Sequence, residues 1–308
     1  MNIIPIVFAF DNNLILPACV TISSLLLNAK DDTFYDIFIL HSETENLKKD
    51  DLDKIPFFFK NCNLKYRTVG HVFDDSFEIR GITTPAYYRL LIPELIPEYD
   101  KVVYADADII FRMDLSGLYS LDLADNYIAA TLDLGMNFGE DGKKYIDSLS
   151  ELVQGKYLQS GFIMLNSKLI RETRLVDTFK YLAQKKYRYQ DQDILNIACQ
   201  GRVQYLPPCF NMTDYSFYYA IRKRNIFLKH YSDGDLQKAL QNGTLHYNGH
   251  KPWKKYSVNY DIWWEYYRKS PFYDEKFYFD YYYNKLNELD QLSLWKRIKI
   301  LLRYFFVR

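Results

Sequence analysis

Residues 102–110 read VVYADADII, an apolar segment that carries two carboxylates, Asp106 and Asp108, two residues apart. Short apolar segments of this kind are typical of buried strands. In open α/β sheets, ligands bind beyond the carboxyl ends of the strands, where two such carboxylates can reach one cation. Oxygen ligands suit a hard divalent metal that neutralises a bound diphosphate. The spacing alone does not decide, because Asp-x-Asp also occurs by chance in solvated turns.

Strand and helix patterns alternate through the first two thirds of the chain around this segment. Apolar runs predict strands at residues 3–10, 35–40, 64–69, 101–104, 127–132 and 162–165. Helical spacing predicts helices at residues 14–29, 47–59, 86–95, 169–185 and 191–199. The alternation indicates an α/β domain with a mostly parallel central sheet.

The alternation decays after about residue 210, where aromatic clusters replace it. Residues 252–290 have an irregular helical pattern, and no internal repeat or Gly/Ser-rich linker is present. We therefore predict one α/β domain over residues 1–256 and a helical, basic and aromatic C-terminal extension over residues 257–308.

Charge and cysteine content narrow the class of protein. The 39 basic and 39 acidic side chains give a net charge of zero, which argues against a nucleic-acid partner. The 4 cysteines lie far apart without zinc-binding spacing, as expected for reduced thiols in the cytoplasm. The N-terminus lacks the pattern of a signal peptide, and no apolar stretch has the length of a membrane span. These features predict a cytoplasmic protein.

A second informative stretch, TLHYNGHKPW, occupies residues 244–253. The His246 imidazole is a suitable third ligand for Mn²⁺ and suits Mg²⁺ less well. Gly249 allows the backbone to approach a phosphate closely, and Lys251 offers phosphate oxygens a point charge. The alternative is structural, with His246 ending a strand and Trp253 filling the core.

Several segments together resemble glycosyltransferase family 8, which includes the bacterial lipopolysaccharide galactosyl- and glucosyltransferases and the glycogenins. They occur in family order between residue 6 and about residue 256: IVFA at 6–9 followed by Asp11 and Asn13, AYYRL at 86–90, YADAD at 104–108, TLD at 131–133, QDQDILN at 190–196 and HYNGHKPW at 246–253. The resemblance implies a GT-A fold, a Rossmann-like domain that binds a UDP-sugar and Mn²⁺, with Mg²⁺ as the alternative ion.

The resemblance also implies the residues that bind the donor. Metal ligands would be Asp106, Asp108 and His246. The uridine and ribose would contact Ala9, Asp11, Asn13, Ala107 and Asp108. The diphosphate would lie against Gly249 and Lys251, with Arg89 near the phosphate and the sugar. The alternative for Arg89 is a surface ion pair.

The remaining implied residues lie beside the donor hexose. Asp191 would accept hydrogen bonds from sugar hydroxyls, Gln192 would face the anomeric carbon, and Asp133 would lie near donor and acceptor. Asp191 and Asp193 also stand at the start of a predicted helix, where carboxylates can simply act as caps. The chain departs from many relatives at Gln159-Ser160-Gly161, where they have Asn-x-Gly. The longer Gln159 is expected to alter hydrogen bonding to the donor sugar or the acceptor.

The implied activity is retaining transfer of glucose or galactose from a UDP-sugar to a saccharide or glycolipid, with an α linkage. Gln192 is a poor nucleophile, which favours attack from the side that UDP leaves. One alternative is a phosphatase of the haloacid dehalogenase type, although residue 110 is Ile where that class usually has Thr or Val. The other alternative is a non-catalytic sugar-binding protein with a transferase fold.

The C-terminal segment from Leu292 to Arg308 contains basic residues and no acidic residue. On a helix, one apolar stripe would contain Leu294, Trp295, Ile298, Leu301, Leu302 and Phe305, and Lys296, Lys299 and Arg303 would lie off it. Basic amphipathic helices with Trp and Phe are typical of interfacial membrane anchors. The segment predicts peripheral association with the inner face of the membrane, or packing of the stripe on the α/β domain.

Overall fold

A computed structural model describes residues 2–44, 46–74, 76–78, 83–288 and 291–306. Its strands are β1 Asn2–Ala9, β2 Thr33–Ser42, β3 Cys62–Val69, β4 Val102–Ala105, β5 Ile109–Ile110, β6 Ile128–Leu132, β7 Leu158–Leu165, β8 Val203–Tyr205 and β9 Leu245–His246. A large sheet has the order β3-β2-β1-β4-β7-β6-β8, and β5 pairs with β9 in a small sheet. Each strand predicted from the sequence is present.

All pairings in the large sheet are parallel except those of β7, which runs antiparallel to both β4 and β6. The predicted α/β class with a mostly parallel sheet is therefore confirmed. The reversal of β7 and the pairing of β5 with β9 were outside the prediction. Neither leaves a sequence signal, because strand direction depends on long-range topology and β5 and β9 are two residues long.

The helices are α1 Ile15–Leu27, α2 Ile55–Phe58, α3 Ile92–Leu95, α4 Ser116–Tyr119, α5 Leu134–Phe138, α6 Glu140–Asp147, α7 Ser167–Glu172, α8 Leu175–Ala183, α9 Gln190–Ala198, α10 Asp214–Arg222, α11 Arg224–Phe227, α12 Asp233–Asn242, α13 Tyr260–Lys269, α14 Glu275–Leu286 and α15 Leu294–Phe306. Short 3-10 helices cover Asn12–Leu14, Leu52–Lys54, His71–Phe73, Thr84–Leu91 and Pro208–Phe210.

Three predicted helices differ from the structure. The helix predicted at 47–59 is reduced to a 3-10 turn and α2, and most of the helix predicted at 86–95 is 3-10. Pro93 follows the 3-10 segment, and a proline at this position suits the start of α3 rather than its interior. The helix predicted at 169–185 is divided into α7 and α8 at Arg174, whose φ of 56° lies in the left-handed region.

Both faces of the large sheet are covered. Along β1, Ile4, Ile6 and Phe8 belong to one buried cluster, whereas Val7 and Ala9 belong to the cluster on the opposite face. This division follows from the alternation of side chains along a strand. Because β1 is buried on both sides, its sequence is a continuous apolar run rather than an alternating one.

The order of the strands reverses between β1 and β4. The chain proceeds from β1 outward to β2 and β3 and then returns to place β4 on the other side of β1. In open α/β sheets, the crevice at such a switch point is where ligands bind. Both strands end there, β1 at Ala9 and β4 at Ala105. The residues that follow them, including Asp11 and Asp106, are therefore positioned for binding.

The four cysteines, Cys19, Cys62, Cys199 and Cys209, are free thiols and are all buried. Burial raises the pKa of each thiol, in the case of Cys62 to about 11. None of them forms part of the group of potential metal ligands found among the described residues.

The α13–α14 pair packs on the α/β domain through aromatic side chains. Trp263, Trp264 and Tyr267 of α13 are fully buried in the same cluster as β1 and α1. The Trp264 ring packs against two rings of α14, with ring centroids 4.6 Å apart for Tyr281 and 5.4 Å apart for Tyr282. The division of the chain at residues 256 and 257 remains a proposal.

We expect Trp264→Ala to lower the free energy of unfolding by about 3–5 kcal/mol, because it empties the site between α13 and α14. The control is Tyr283→Ala, since Tyr283 on α14 is 69% exposed, and its expected change is within about 0.5 kcal/mol. Denaturation in urea measures both values. Equal stability of the two variants would show that the aromatic layer does not contribute to the folded state.

Candidate functional site

Two short pairings assemble the centre of the site. Asp106 and Asp108 follow β4, and β5 then pairs with β9 so that Ile109 lies opposite His246. Tyr247 donates its backbone N–H to the Asp108 carbonyl at 3.0 Å, and Asp106 donates its own to the Gly161 carbonyl at 2.8 Å. The VVYADADII and TLHYNGHKPW segments are thus brought together, as the prediction required.

The described residues contain one candidate metal group, formed by Asp106, Asp108 and His246, whose ligand atoms lie within 4.8 Å of one another. His246 Nε2 lies 3.5 Å from Asp106 Oδ2 and 3.3 Å from Asp108 Oδ1. Asp108 Oδ1 is buried and has no hydrogen-bond partner in the described part of the protein. An unsatisfied carboxylate oxygen is costly, and a cation between these side chains would satisfy it. The residues therefore fit a divalent metal.

Gly161 of β7 lies against this group. A Cβ atom at this position would lie 2.3 Å from His246 Cε1 and 2.5 Å from Asp106 Oδ2. Such distances are too short for any side chain, so only glycine leaves room for the ligands. A glycine inside a strand often marks a close approach of this kind.

Arg89 balances the charge on one side of the site. Its side chain is buried, donates to Asp106 Oδ1 at 2.8 Å and lies 3.2 Å from Asp191 Oδ2. It also donates to the Ser160 carbonyl at 2.7 Å. Its guanidinium carbon lies 4.2 Å from the centroid of the Tyr104 ring. Despite burial, the two carboxylates raise the pKa of Arg89 above its ordinary value. The alternative of a surface ion pair is wrong.

Lys251 balances the charge on the other side. It forms an ion pair with Asp108 and donates to the Tyr247 carbonyl at 2.7 Å. Burial alone would raise the pKa of Asp108, but the positive charge of Lys251 holds it well below the ordinary value. Asp108 is therefore an anion at neutral pH, as a metal ligand requires.

A hydrogen-bond network joins the residues predicted to face the donor hexose. Gln192 accepts from the Ser160 backbone N–H at 3.1 Å and donates to Asp133 Oδ2 at 3.1 Å, while Asp191 accepts from the Ser160 hydroxyl at 2.9 Å. Burial raises the pKa of Asp191 to about 6, against the opposing charge of Arg89. It also raises the pKa of Asp133. Arg89 connects this network to Asp106.

The residues predicted for the nucleotide occupy the switch point. Ala9 ends β1, and Asp11 accepts from the Asn13 backbone N–H at 2.9 Å, leaving the Asn13 side chain exposed. Ala107 is buried, and its carbonyl accepts from the Thr21 hydroxyl at 2.9 Å. Gly249 is exposed beside Asp214, whose Oδ2 would lie 2.4 Å from a Cβ at position 249.

The sequence analysis did not identify Asn211 as a site residue, and it placed Gln159 beside the donor sugar or the acceptor. Gln159 Oε1 accepts from the Asn211 side chain at 2.6 Å and from the Gly161 backbone at 2.7 Å, and Asn211 contacts His246. The Gln159 carbonyl oxygen is thus directed toward protein groups around the candidate metal ligands. Gly161 carried a usable signal as a glycine directly before the strand predicted at residues 162–165. Asn211 carried none, because only the pairing of distant segments places it there.

Comparison with known families decides the family of the protein. The model for glycosyl transferase family 8 matches residues 5–257, most of the chain. This chain belongs to glycosyltransferase family 8. The suspected resemblance is confirmed, and the haloacid dehalogenase alternative is wrong.

Individual members of family 8 agree with this assignment. The lipopolysaccharide 1,2-glucosyltransferase of Escherichia coli K12 is 28% identical over 180 residues, which are 56% of this chain and 50% of that protein. Glycosyltransferase GlyF of Streptococcus pneumoniae serotype 4 is 26% identical over 280 residues, 85% of this chain and 60% of that protein. This chain therefore spans about half to three fifths of the length of these relatives.

A solved structure of the galactosyltransferase LgtC, in complex with donor and acceptor sugar analogues, has a TM-score of 0.69 at 26% identity. The alignment covers 89% of this chain and 98% of that chain. The predicted GT-A fold is confirmed by this likeness, together with the mostly parallel sheet and the helical C-terminal region. Family 8 membership thus accounts for the sheet and for the position of the site.

If Asp106, Asp108 and His246 hold a divalent cation, Gly161→Ala should weaken the binding of added Mn²⁺ at least about 10-fold, because even the loss of an outer hydrogen bond to a metal ligand costs about 10- to 100-fold. The added methyl group displaces His246 or Asp106. Gly117→Ala is the control, since no atom lies within 4 Å of a Cβ there. Electron paramagnetic resonance of free Mn²⁺ measures the affinity. Unchanged binding in Gly161→Ala would rule out a metal between these side chains.

Proposed function

We propose that the chain is a metal-dependent, retaining hexosyltransferase that uses UDP-glucose or UDP-galactose. The observation that carries the proposal is the group of Asp106, Asp108 and His246 at the switch point of a family 8 fold, with a lysine beside it. Asp108 Oδ1 has no hydrogen-bond partner among the described residues, and Lys251 forms an ion pair with the same carboxylate. This combination suits a metal-bound diphosphate.

Mn²⁺ is the proposed ion, with Mg²⁺ as the alternative, because an imidazole is a better ligand for Mn²⁺. When bound, such an ion neutralises negative charge on the diphosphate leaving group. Lys251 would add a second positive charge there, and the backbone at Gly249 would lie along the phosphates.

The donor would extend from β1 toward α9. Uridine and ribose would lie against the end of β1, where the contacts would come from Ala9, Asp11, Asn13, Ala107 and Asp108. The hexose would lie beside Arg89, Asp133, Asp191 and Gln192. In its ionised form Asp191 accepts hydrogen bonds from sugar hydroxyls, and its pKa of about 6 makes that form predominant at neutral pH.

The proposed reaction occurs on one face of the hexose. The bond between the anomeric carbon and the UDP oxygen breaks, and the acceptor oxygen bonds to the same carbon from the side that UDP leaves. The acceptor proton passes to a phosphate oxygen of UDP, so the protein supplies no separate base. Gln192 is a poor nucleophile because its side chain is an uncharged amide, and hydrogen bonds to Asp133 and Ser160 hold that amide in place. The product would be α-linked.

The acceptor would be a saccharide or a glycolipid. Its class is suggested by relatives named as lipopolysaccharide 1,2-glucosyltransferase and lipopolysaccharide 1,3-galactosyltransferase, which are 28% and 24% identical to this chain. Cell-surface polysaccharide biosynthesis is the corresponding process. The competing proposal is a non-catalytic sugar-binding protein. It would require that Asp106, Asp108, His246 and Lys251 have no role in catalysis.

The decisive assay incubates the protein with a panel of UDP-sugars, with and without Mn²⁺. UDP release measures turnover, and real-time NMR identifies the anomer that forms first. We expect Mn²⁺-dependent hydrolysis of UDP-glucose or UDP-galactose with the α-anomer formed first. Asp106→Ala and His246→Ala should lower turnover at least about 100-fold, because each removes a ligand. The same changes at exposed Asp280 and His71 should leave it within about twofold. A β-anomer would refute retention, and active ligand variants would refute the metal group.

We further propose that the enzyme is cytoplasmic and lies peripherally on the inner face of the membrane through α15. The stripe residues of α15 are exposed, with Trp295 at 80% and Phe305 at 70%, which supports a membrane contact over packing of the stripe on the α/β domain. Lys296, Lys299 and Arg303 are exposed beside them, and Arg308 lies outside the described residues. Within the described residues, no helix combines the length and apolarity needed to cross a bilayer.

Vesicle sedimentation tests this location. The full chain should sediment with vesicles containing anionic phospholipid at low salt and detach at high salt, since each basic residue near such a surface contributes about 1 kcal/mol. A chain ending at Gln291 should stay in the supernatant, as should Leu301→Asp, which interrupts the apolar stripe. Neutral vesicles serve as the control. Equal sedimentation of full and shortened chains would show that α15 is not the anchor.

A further inference from the structure

The ring of His246 has a second nitrogen that faces away from the carboxylates. This nitrogen, Nδ1, lies 3.1 Å from Asn211 Oδ1, and both side chains are buried, at 3% and 1% exposure. Either imidazole nitrogen can carry the proton, and the two ends of an amide are distinguished only by their hydrogen bonds. The surrounding network therefore determines which nitrogen is protonated.

The network begins at a group that can only donate. The backbone N–H of Gly161 lies 2.7 Å from the Gln159 side chain, which must present its oxygen, Oε1, at that point. The same oxygen lies 2.6 Å from the amide of Asn211. Because that contact needs a donor from Asn211, the NH₂ end of Asn211 faces Gln159. The carbonyl end then faces His246.

The orientation of the Asn211 amide determines which ring nitrogen of His246 carries the proton. A carbonyl oxygen accepts, so Nδ1 of His246 must donate and must carry a proton. The other nitrogen, Nε2, is the one that faces Asp106 and Asp108, at 3.5 Å and 3.3 Å. A metal binds the nitrogen that has lost its proton. The chain of contacts thus reserves Nε2 for the cation.

We propose that Gln159 and Asn211 are positioning residues that fix the proton of His246 on Nδ1 and so present Nε2 to the metal. The inference rests on the metal site of the proposed function and extends it to two residues outside the ligand set. Hydrogen bonds that orient a metal-binding histidine in this way typically change metal affinity about 10- to 100-fold.

The backbone holds these residues in register. Asn211 follows the 3-10 helix Pro208–Phe210, and its neighbour Met212 pairs with β9. Met212 accepts from the His246 backbone N–H at 3.0 Å and donates to the Thr244 carbonyl at 2.8 Å. Gln159 comes from β7 of the large sheet. The proposed contacts therefore join the large sheet to the small one at the metal ligands.

Two measurements on the same variants test the proposal. Mn²⁺ affinity comes from electron paramagnetic resonance, and the protonation of the His246 nitrogens comes from long-range ¹H–¹⁵N spectra of the metal-free protein at about pH 8, where free imidazole is neutral. The His246 signals are assigned by their loss in His246→Gln. The second measurement does not depend on metal or on activity.

Asn211→Leu should weaken Mn²⁺ binding about 10- to 100-fold. It should also leave Nδ1 without a proton, because the proton moves to Nε2, which faces the carboxylates of Asp106 and Asp108. Asn211→Asp keeps an acceptor for Nδ1, so it should retain the Nδ1 proton and bind Mn²⁺ within a few-fold of wild type. Gln159→Leu should shift both quantities in the same direction as Asn211→Leu, and it serves if that variant does not fold.

The matched control is Asn137→Leu. Asn137 is 1% exposed and also makes buried hydrogen bonds, to Asp133 and Tyr157, but does not contact His246. Its loss should lower stability and leave Mn²⁺ affinity unchanged. The proposal fails if Nδ1 stays protonated in Asn211→Leu, or if Asn137→Leu weakens Mn²⁺ binding equally. If wild type binds no Mn²⁺, the proposed function fails, and the nitrogen spectra still decide the positioning role.

Discussion

The negative charge of Asp106 and Asp108 at the end of one buried strand is the constraint that organises this protein. Buried charges without partners cost several kcal/mol each. The compensating cations come from two distant segments, Arg89 on a 3-10 helix and Lys251 in the loop after β9. The His246 imidazole on β9 lies beside both carboxylates. The ion pair between Asp108 and Lys251 joins residues 143 positions apart. Charge balance thus ties the C-terminal part of the family 8 region to β4.

Strand β7 links this charged centre to the residues beside the proposed sugar site. Because β7 runs antiparallel to β4, it places Ser160 between Arg89, Asp191 and Gln192, and Gly161 against His246. Adjacent residues of one strand therefore serve both parts of the site. A parallel strand at this position would require a crossover connection and would present its residues in the opposite order.

Local patterns in the sequence were sufficient for most of the large sheet, because β1, β2 and β4 are apolar runs buried on both faces. The edge strand β8 was missed, since it is three residues long and is not a buried apolar run. The candidate metal ligands Asp106 and Asp108 could also be predicted from the sequence, since they directly follow such a run. Other features depended on contacts between distant segments. The pairing of β5 with β9, the reversal of β7 and the placement of Asn211 beside His246 have no local signature. The division at Arg174 was missed because the helical periodicity of α7 continues into α8.

The burial of the four cysteines has a practical consequence. The thiolate is the form that reacts with alkylating reagents, and burial disfavours it for Cys19, Cys62, Cys199 and Cys209. We therefore expect the four native thiols of the folded chain to react slowly with thiol-directed reagents. A single cysteine introduced on an exposed surface would carry a fluorophore or spin label at that position alone, without removal of any native cysteine and without disturbing the core.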